Sequence, residues 1–369
     1  MLKVAYLLGS LNRGGTETLL LDVFRSADIA PFSFMGIHRK GGVYRDDFYA
    51  TKPVFLQCSP VHHNIFAYVR RLRRLLQEQQ ITIVHAQQYI DALYAKLATS
   101  GTDIQVVETF HGYDYGATRW EKMLIQLSIR QSDAVCFVSE AQRRYYLQQY
   151  TFRSPAKTHV VYNGIDFSKL DEEHEQALDL PAKIDPASRG MKLAMVGNFV
   201  RGRAQSSLCQ FLLRLAQEHI PYDFYFVGKR DDKEPWYYDD CVKFCKDNQL
   251  DNVHFLGSRS DVPQILRQMD AFVYATDHDT FGIAVVEAMA AGVPVFVNDN
   301  EVMAEVTHHG EWATLYKTHD TEDLWQRFNR FVHNREAYRQ QACQTARQVR
   351  QHYSIEHHLQ QLYEVYRAL

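Results

Sequence analysis

Short apolar runs separated by polar, helix-forming stretches recur along the chain. KVAYLL (3–8), ITIVHA (81–86), IQVVET (104–109) and AVCFV (134–138) lie in the first half. KLAMVG (192–197), DFYFVG (223–228), VHFLGSR (253–259), AFVYAT (271–276) and PVFVN (294–298) lie in the second. Runs this short, bounded by turn residues and alternating with helical stretches, predict α/β units with parallel sheets. Two helices are distinctive. Residues 65–80, IFAYVRRLRRLLQEQQ, repeat apolar positions at helical spacing, and Ile65, Phe66, Val69, Leu72 and Leu76 are the expected buried stripe. Residues 282–292 are apolar nearly all round, so that helix, opened near Gly282 and closed by Gly292, is expected to be buried with Glu287 inside it. Other helices are expected from about Thr16, across 320–350, and from Ser354 to about Arg367.

At 369 residues the chain exceeds one ordinary core, and two domains are expected. Asn163-Gly164 is a turn signal that closes a first domain at 1–168. Residues 169–190 are acidic and then turn-rich, a linker composition, and a second α/β series fills 191–353. The chain is 46% hydrophobic and 23% charged with net charge −3, which gives no nucleic-acid bias. No run approaches the roughly 18 apolar residues of a membrane span. The first residues read as a strand and not as a signal peptide. Six scattered cysteines without metal-knuckle spacing read as reduced, mostly structural thiols, and the expected compartment is cytoplasmic.

The richest chemistry sits in DHDTFGIAVVEAMAAG, residues 277–292. A helix start leaves the N–H groups of Phe281, Gly282 and Ile283 unpaired, a ready cradle for phosphate. Asp279 lies beside that cradle and Glu287 a turn and a half deeper. A buried carboxylate is unfavourable by several kcal/mol or more unless hydrogen bonds are donated to it. A core helix whose Glu287 pairs with a buried Arg is the plain alternative. Gly14 and Gly15 before the first helix let a ligand approach the backbone closely, although a tight turn would also use two glycines. They do not fit a dinucleotide fingerprint. Asp277-His278-Asp279 has a spacing that can hold a divalent metal, but its second acid belongs to the longer pattern, and no metal is expected. The pairs His62-His63, His308-His309 and His357-His358 lack partners at ligand spacing and read as surface residues.

That long pattern is an acid, then Phe-Gly, then Glu287, then AMAAG-x-PV. It resembles the signature of the retaining nucleotide-sugar glycosyltransferases of family 4. The resemblance implies a GT-B fold: two Rossmann-like α/β lobes facing a central cleft, with the C-terminal helix, 354–369, crossing back to the first lobe. It implies that Glu287 holds the nucleotide ribose and that Asp279, where Glu is usual, contacts the donor sugar. His111, after the strand ending at 109, matches a family histidine near that sugar; a surface histidine after a strand is the alternative. Gly15 falls in the first cleft loop. In GNFVRGRAQ, Asn198 stands where Arg is frequent, and Arg201 and Arg203 are the cations available for the diphosphate, Arg203 in place of the usual Lys. Backbone groups of Ser258 and Arg259 are expected to face the base. The reaction implied is transfer with retention from a nucleoside-diphosphate sugar, UDP favoured over GDP on family frequency, with no further cofactor. A nucleotide-sugar epimerase of the same fold and a non-catalytic relative are the rival readings.

Arg70, Arg71, Arg73 and Arg74 crowd one side of the 65–80 helix. They make either a solvated surface or a face for an anionic membrane. The second reading would bring a peripheral enzyme to a lipid-linked acceptor in cell-envelope or surface glycan synthesis.

Overall fold

In the computed structural model, which describes residues 2–12, 14–60, 64–171, 180–181 and 190–369, every pairing between strands is parallel. Two sheets result. The first has seven strands: β1 (Lys3–Leu8), β2 (Ser33–His38), β3 (Phe55–Gln57), β4 (Ile83–Ala86), β5 (Gln105–Phe110), β6 (Ala134–Phe137) and β7 (Thr158–Val160), in spatial order β3-β2-β1-β4-β5-β6-β7. The second has six: β8 (Met191–Val196), β9 (Tyr222–Val227), β10 (Val253–Gly257), β11 (Ala271–Tyr274), β12 (Val295–Asn298) and β13 (Thr314–Tyr316), in order β10-β9-β8-β11-β12-β13. Each order reverses direction once, between β1 and β4 and between β8 and β11. Such a reversal opens a crevice at the carboxyl ends of the strands, where α/β sheets bind ligands.

The chain divides into two units, Met1–Asp166 with Tyr353–Leu369, and Phe167–His352. Unit 1 carries helices α1 (Gly15–Arg25), α2 (Arg45–Tyr49), α3 (Ile65–Glu78), α4 (Tyr89–Thr99), α5 (Arg119–Gln131) and α6 (Glu140–Gln149). Unit 2 carries α7 (Ser168–Asp171), α8 (Gln205–Gln217), α9 (Pro235–Asp247), α10 (Val262–Leu266), α11 (Ile283–Ala290), α12 (Glu301–Val306), α13 (Thr321–His333) and nearly all of α14 (Arg335–Tyr353). The last helix, α15 (Ile355–Arg367), belongs to unit 1. Residues 167–171 go with unit 2 for a physical reason: Arg350 lies over the Phe167 ring and donates to Asp171 at 2.7 Å. Most of 169–190 lies outside the described residues, as do His62 and His63.

The first core explains why α15 returns to unit 1. Leu359, Leu362, Val365 and Tyr366 join Val4, Tyr6, Phe24 and Phe34 in one buried cluster. Burying each such side chain stabilises by roughly 1.5–3 kcal/mol. Ile165 and Ile355 exchange backbone bonds, Ile165 N–H to Tyr353 O at 2.9 Å and Ile355 N–H to Ile165 O at 3.2 Å. Gly164 permits the approach, since a Cβ there would lie 2.5 Å from that of His358. His358 is therefore not a surface residue. It is buried, with its Nδ1 2.6 Å from the Tyr162 carbonyl.

Buried polar groups in the strands have partners. His85 lies between the hydroxyls of Tyr366 and Thr109, both at 2.6 Å. Glu108 accepts from Ser128 at 3.0 Å and from Ser132 at 3.3 Å.

The pattern of α3 is not the one its sequence predicts. Tyr68, Leu72 and Leu76 are buried with Val69 and Leu75 partly so, whereas Ile65 and Phe66 are exposed. A helical stripe read from Leu72 and Leu76 runs back through Tyr68 and not through Phe66, and Tyr68 fills the slot with its ring against Tyr94 at 5.0 Å. The basic face also loses a member. Arg73 donates to the carbonyls of Ala98, at 2.7 Å, and Ser100, capping the end of α4, while Arg70, Arg71 and Arg74 remain exposed.

Candidate active site

The crevice of unit 2 is walled by the loops after β8 and β11, which are laced together. Gly202 O accepts from the Thr276 hydroxyl at 2.9 Å and the Asp277 N–H at 2.8 Å. From the end of β12, Asn298 grips Thr276 twice, accepting its N–H at 2.9 Å and donating to its carbonyl at 2.8 Å. Ala204, between the first loop and α8, has φ 49° and ψ 30°, a left-handed backbone that disfavours a residue with a Cβ by roughly 1–2 kcal/mol. The loops are held rigid, and Arg203 projects from one to the other.

Arg203 Nη1 donates to both Asp279 Oδ2 and the Tyr274 hydroxyl. Tyr274 itself donates to Asp279 Oδ2 at 3.0 Å, and the guanidinium carbon lies 5.7 Å from the Tyr274 ring centre. The other oxygen of Asp279 accepts from Thr280 N–H at 2.9 Å and Phe281 N–H at 3.3 Å. Asp279 thus occupies part of the cradle assigned to phosphate, and Phe281 N–H is already engaged. Gly282, at φ 85°, a left-handed backbone that favours glycine, turns the chain into α11. Backbone bonding to Gly282 O begins at Val285, so the amides of Ile283 and Ala284 are the orphan donors of this helix start.

Glu287 is half-buried, not enclosed. Ile283, Ala284 and Glu287 share one partly open face of α11, while Val285, Val286, Ala288 and Met289 make the covered one. An apolar composition hides such a face because Ile283 and Ala284 carry no polar mark. Arg201 is exposed, its N–H 3.4 Å from Glu234 Oε2. Asn198 is exposed and accepts from Lys229 N–H at 3.1 Å. Ser258 and Arg259 are exposed after β10, and the Arg259 side chain is taken by Asp261, with Nε to Oδ1 at 2.7 Å. That leaves their backbone as what this loop offers. Asp277 and Asp279 have different partners, since Asp277 Oδ1 lies 3.4 Å from His319 Nε2. Among the described residues no three His, Cys, Asp or Glu side chains converge in a way that could hold a metal.

In unit 1 a cavity of about 640 Å³ lies at the carboxyl ends of β4 and β5, lined by Thr16, Gln87, Tyr89, His111, Tyr113 and Glu121 among others. His111 Nε2–H donates to Gln87 Oε1 at 2.8 Å. Burial, and then the neighbouring His358, push its pKa down to about 4, so the ring is neutral at physiological pH. A neutral ring with its proton committed to Gln87 is a contact group and a poor acid. The His111 loop is held from below: Gln142 Nε2 and the Tyr146 hydroxyl both donate to Gly112 O at 3.0 Å. Asp114, buried, accepts from Tyr145 at 2.7 Å and from Tyr150. Gly15 is the first residue of α1, and a Cβ there would meet nothing within 4 Å, so packing does not demand a glycine.

Sequence reasoning missed Tyr274, Gln87, Gln142 and Asp114. Tyr274 reads, like Phe272, as an ordinary aromatic residue of its strand. A polar Gln87 directly after an apolar strand was the one available signal for the pocket in unit 1.

Residues 179–349 match the family model described as glycosyl transferases group 1, and residues 14–169 match the one described as Glycosyltransferase Family 4. The N-acetyl-alpha-D-glucosaminyl L-malate synthase of Bacillus anthracis is 26% identical over 69% of this chain and 66% of its own length. The UDP-Gal:alpha-D-GlcNAc-diphosphoundecaprenol alpha-1,3-galactosyltransferase of Escherichia coli is 23% identical over 62% of this chain and 60% of its own length. The crystal structure of Anabaena Alr3699/HepE in complex with UDP and glucose superposes with a TM-score of 0.80 at 18% identity, covering 100% of both chains. At that identity the likeness concerns the fold.

Proposed function

The chain belongs to the GT-B glycosyltransferases of group 1, and from that premise we propose that it moves a sugar from a nucleoside-diphosphate sugar to an acceptor hydroxyl with retention at the anomeric carbon. The observation that carries the reading is the Arg203–Tyr274–Asp279 cluster at the switch point of unit 2, beside the α11 start and the open face of Glu287. Arg203 is poised to exchange Asp279 for the diphosphate, joined by Arg201 and the amide donors of α11. Asp279, so released, turns to the sugar. Glu287 takes the ribose hydroxyls, and Asn198 with the backbone at Ser258 and Arg259 completes the nucleotide pocket. The unit 1 cavity accepts the acceptor, with His111 as a neutral sugar contact. The acceptor oxygen bonds to the anomeric carbon on the face from which the diphosphate leaves. The carbon–oxygen bond to the diphosphate breaks, and the acceptor proton passes to the departing diphosphate oxygen. Fixed charge and positioning lower the barrier.

UDP is the proposed nucleotide, because the Escherichia coli relative is named for a UDP-sugar and the Anabaena structure holds UDP. That same relative is named for a diphosphoundecaprenol acceptor, which supports a lipid-linked acceptor here. No helix among the described residues is long and apolar enough to cross a membrane, so such an acceptor would be met from a bilayer surface. Thermal-shift measurements with UDP, GDP and ADP test the donor, with the largest rise expected for UDP. NMR of the product formed from an α-linked UDP-sugar tests the stereochemistry, with an α-linkage expected. A β-linked product, or no response to any nucleotide, removes the reading. Transfer is expected to persist in excess EDTA, since Arg203 and the helix start neutralise the leaving group; loss on chelation, restored by magnesium, would return Asp277 and Asp279 to a metal.

A further inference from the structure

Helix α5 turns an apolar face to solvent. Trp120, Met123, Leu124 and Leu127 stand at i, i+3, i+4 and i+7, and are 74%, 60%, 37% and 46% exposed. Ile125, Ser128 and Ile129 on the opposite side are the buried stripe. Single exposed apolar residues are ordinary, but four large ones in a row on one face mark a surface with a partner. Arg119, Lys122 and Arg130 run beside the row along one flank, and together with Trp120 and Leu127 they line a shallow depression of about 620 Å³. The helix contains one acid, Glu121, and that carboxylate is turned to the N-terminus, accepting the Thr118 N–H and hydroxyl at 2.8 Å. Lys122 reaches toward the buried Asp114 at 3.8 Å and is otherwise open.

We propose that α5 docks this protein on an anionic lipid bilayer, with Trp120, Met123, Leu124 and Leu127 at the boundary between headgroups and acyl chains and Arg119, Lys122 and Arg130 level with the lipid phosphates. An apolar row bordered by cations, with a Trp whose ring is apolar and whose N–H favours water, is the chemistry of an interfacial helix. Anionic headgroups complement the flank, and apolar chains complement a row that offers no hydrogen-bonding pattern for a protein to read. A second copy fits worse, since pairing two such helices antiparallel sets Arg119 against Arg130 of the other copy. The same helix lends Glu121 and Ile125 to the wall of the His111 cavity, so docking would bring that cavity to the lipid surface. The proposal rests on the lipid-linked acceptor for its purpose and not for its argument. It also moves the membrane contact away from α3, whose Arg73 is committed to α4.

The test is co-sedimentation of the full chain, without donor or acceptor, with vesicles of phosphatidylglycerol and phosphatidylethanolamine or of phosphatidylcholine, at low and high salt. The expected result is binding to the anionic vesicles that salt weakens without abolishing. Trp120→Ser with Leu127→Ser should lower the partition coefficient by roughly tenfold or more. Arg119→Gln, Lys122→Gln and Arg130→Gln together should remove the preference for anionic lipid. Arg70→Gln, Arg71→Gln and Arg74→Gln should leave binding within about twofold. All these side chains are exposed, and an unchanged melting temperature and circular dichroism spectrum would show that the variants fold. Absent binding by the natural chain, binding indifferent to the α5 variants, or a dimer in sedimentation velocity that Leu127→Ser dissociates would each overturn the proposal. Vesicle binding with no sugar transfer to any acceptor would leave the docking face standing and remove the proposed function instead.

Discussion

At the switch point of the six-stranded sheet an arginine and a carboxylate, Arg203 and Asp279, meet through a buried tyrosine; at the carboxyl edge of the seven-stranded sheet His111 is held neutral over a floor of amides and hydroxyls. The topology of the two sheets is alike, since each is parallel and each reverses once. The chemistry differs. Unit 2 sets an Arg–carboxylate pair at its switch point, which the proposed function uses to exchange a diphosphate in. Unit 1 has a buried pair of its own, Arg39 with Asp91 at 2.5 Å, but keeps its imidazoles uncharged, with His85 pushed down to about 3 and His111 and His358 to about 4, each mainly by burial. A polyhydroxyl acceptor needs hydrogen-bonding edges and no net field, whereas a leaving diphosphate needs the field. In the function proposed, the sheets are equivalent as scaffolds and divided by task.

The comparison breaks most readily at Arg203. Arg203→Met removes the one cation bonded to both Asp279 and Tyr274, and transfer should fall by about 10²–10³ in kcat, as when an enzyme loses a fixed transition-state donor. Arg203→Lys should recover part of that, because a point charge remains where the fork is lost. Steady-state kinetics with an unchanged melting temperature check both. A kcat within twofold of the natural enzyme for Arg203→Met would place the leaving-group charge elsewhere. Glu287→Gln should act on binding instead. In the proposed function its carboxylate, on the partly open face of α11, holds the ribose, and a hydrogen bond to a charged group is worth roughly 1.5–3 kcal/mol, so nucleotide affinity should weaken by about ten- to a hundredfold. Unchanged affinity with a lowered melting temperature would make Glu287 a structural residue.

Much of the scaffold was legible because buried parallel strands are short apolar runs and helices carry their own period. The runs at 3–8, 134–138, 223–228 and 294–298 lie on β1, β6, β9 and β12 to within a residue. The weaker strands β2, β3, β7 and β13 were not found; SFMGIH, FLQ and THV are too short or mixed to separate from loop. Faces were harder than elements. In α5 the apolar residues form two stripes, and the larger, Trp120, Met123, Leu124 and Leu127, is the exposed one, while Ile125 and Ile129 with Ser128 are buried, so period alone points to the wrong face. In α11 the absence of any polar residue but Glu287 concealed an open side. In the candidate site, Asp279 and Arg203 could be named from the chain, but not their ion pair. Residues 76 positions apart meet only because β8 and β11 are neighbours in the sheet.

The subtler test of the contrast is a stability measurement on unit 1. Glu108 is buried on β5, and burial raises its pKa to about 8 against the pull of the Ser128 and Ser132 hydroxyls. Unfolded, it titrates near the usual 4.5. The folded state therefore holds the proton more tightly, and the stability this contributes is full below about pH 4.5 and lost as pH rises through about 8. The three histidines have the opposite sign. Their folded values lie near 3 to 4 and their unfolded values near 6.5, so their contribution is full above pH 6.5 and lost as pH falls through about 4. Between pH 6.5 and 8 the unfolded histidines still give up part of a proton each, so the three together add back about 1 kcal/mol against the fall due to Glu108, and only a comparison with a Glu108 variant isolates the carboxyl. One proton over about 1.5 pH units corresponds to about 2 kcal/mol, or about 5 °C in the apparent Tm of a unit this size. Measured against Glu108→Gln, which keeps the shape and cannot ionise, the natural chain should lose about that amount between pH 6.5 and pH 8, the histidine contribution being common to both. An equal change of melting temperature in both proteins would mean that Glu108 ionises without cost in the folded state. The seven-stranded sheet would then tolerate charge, and the contrast between the two edges would narrow to the histidines.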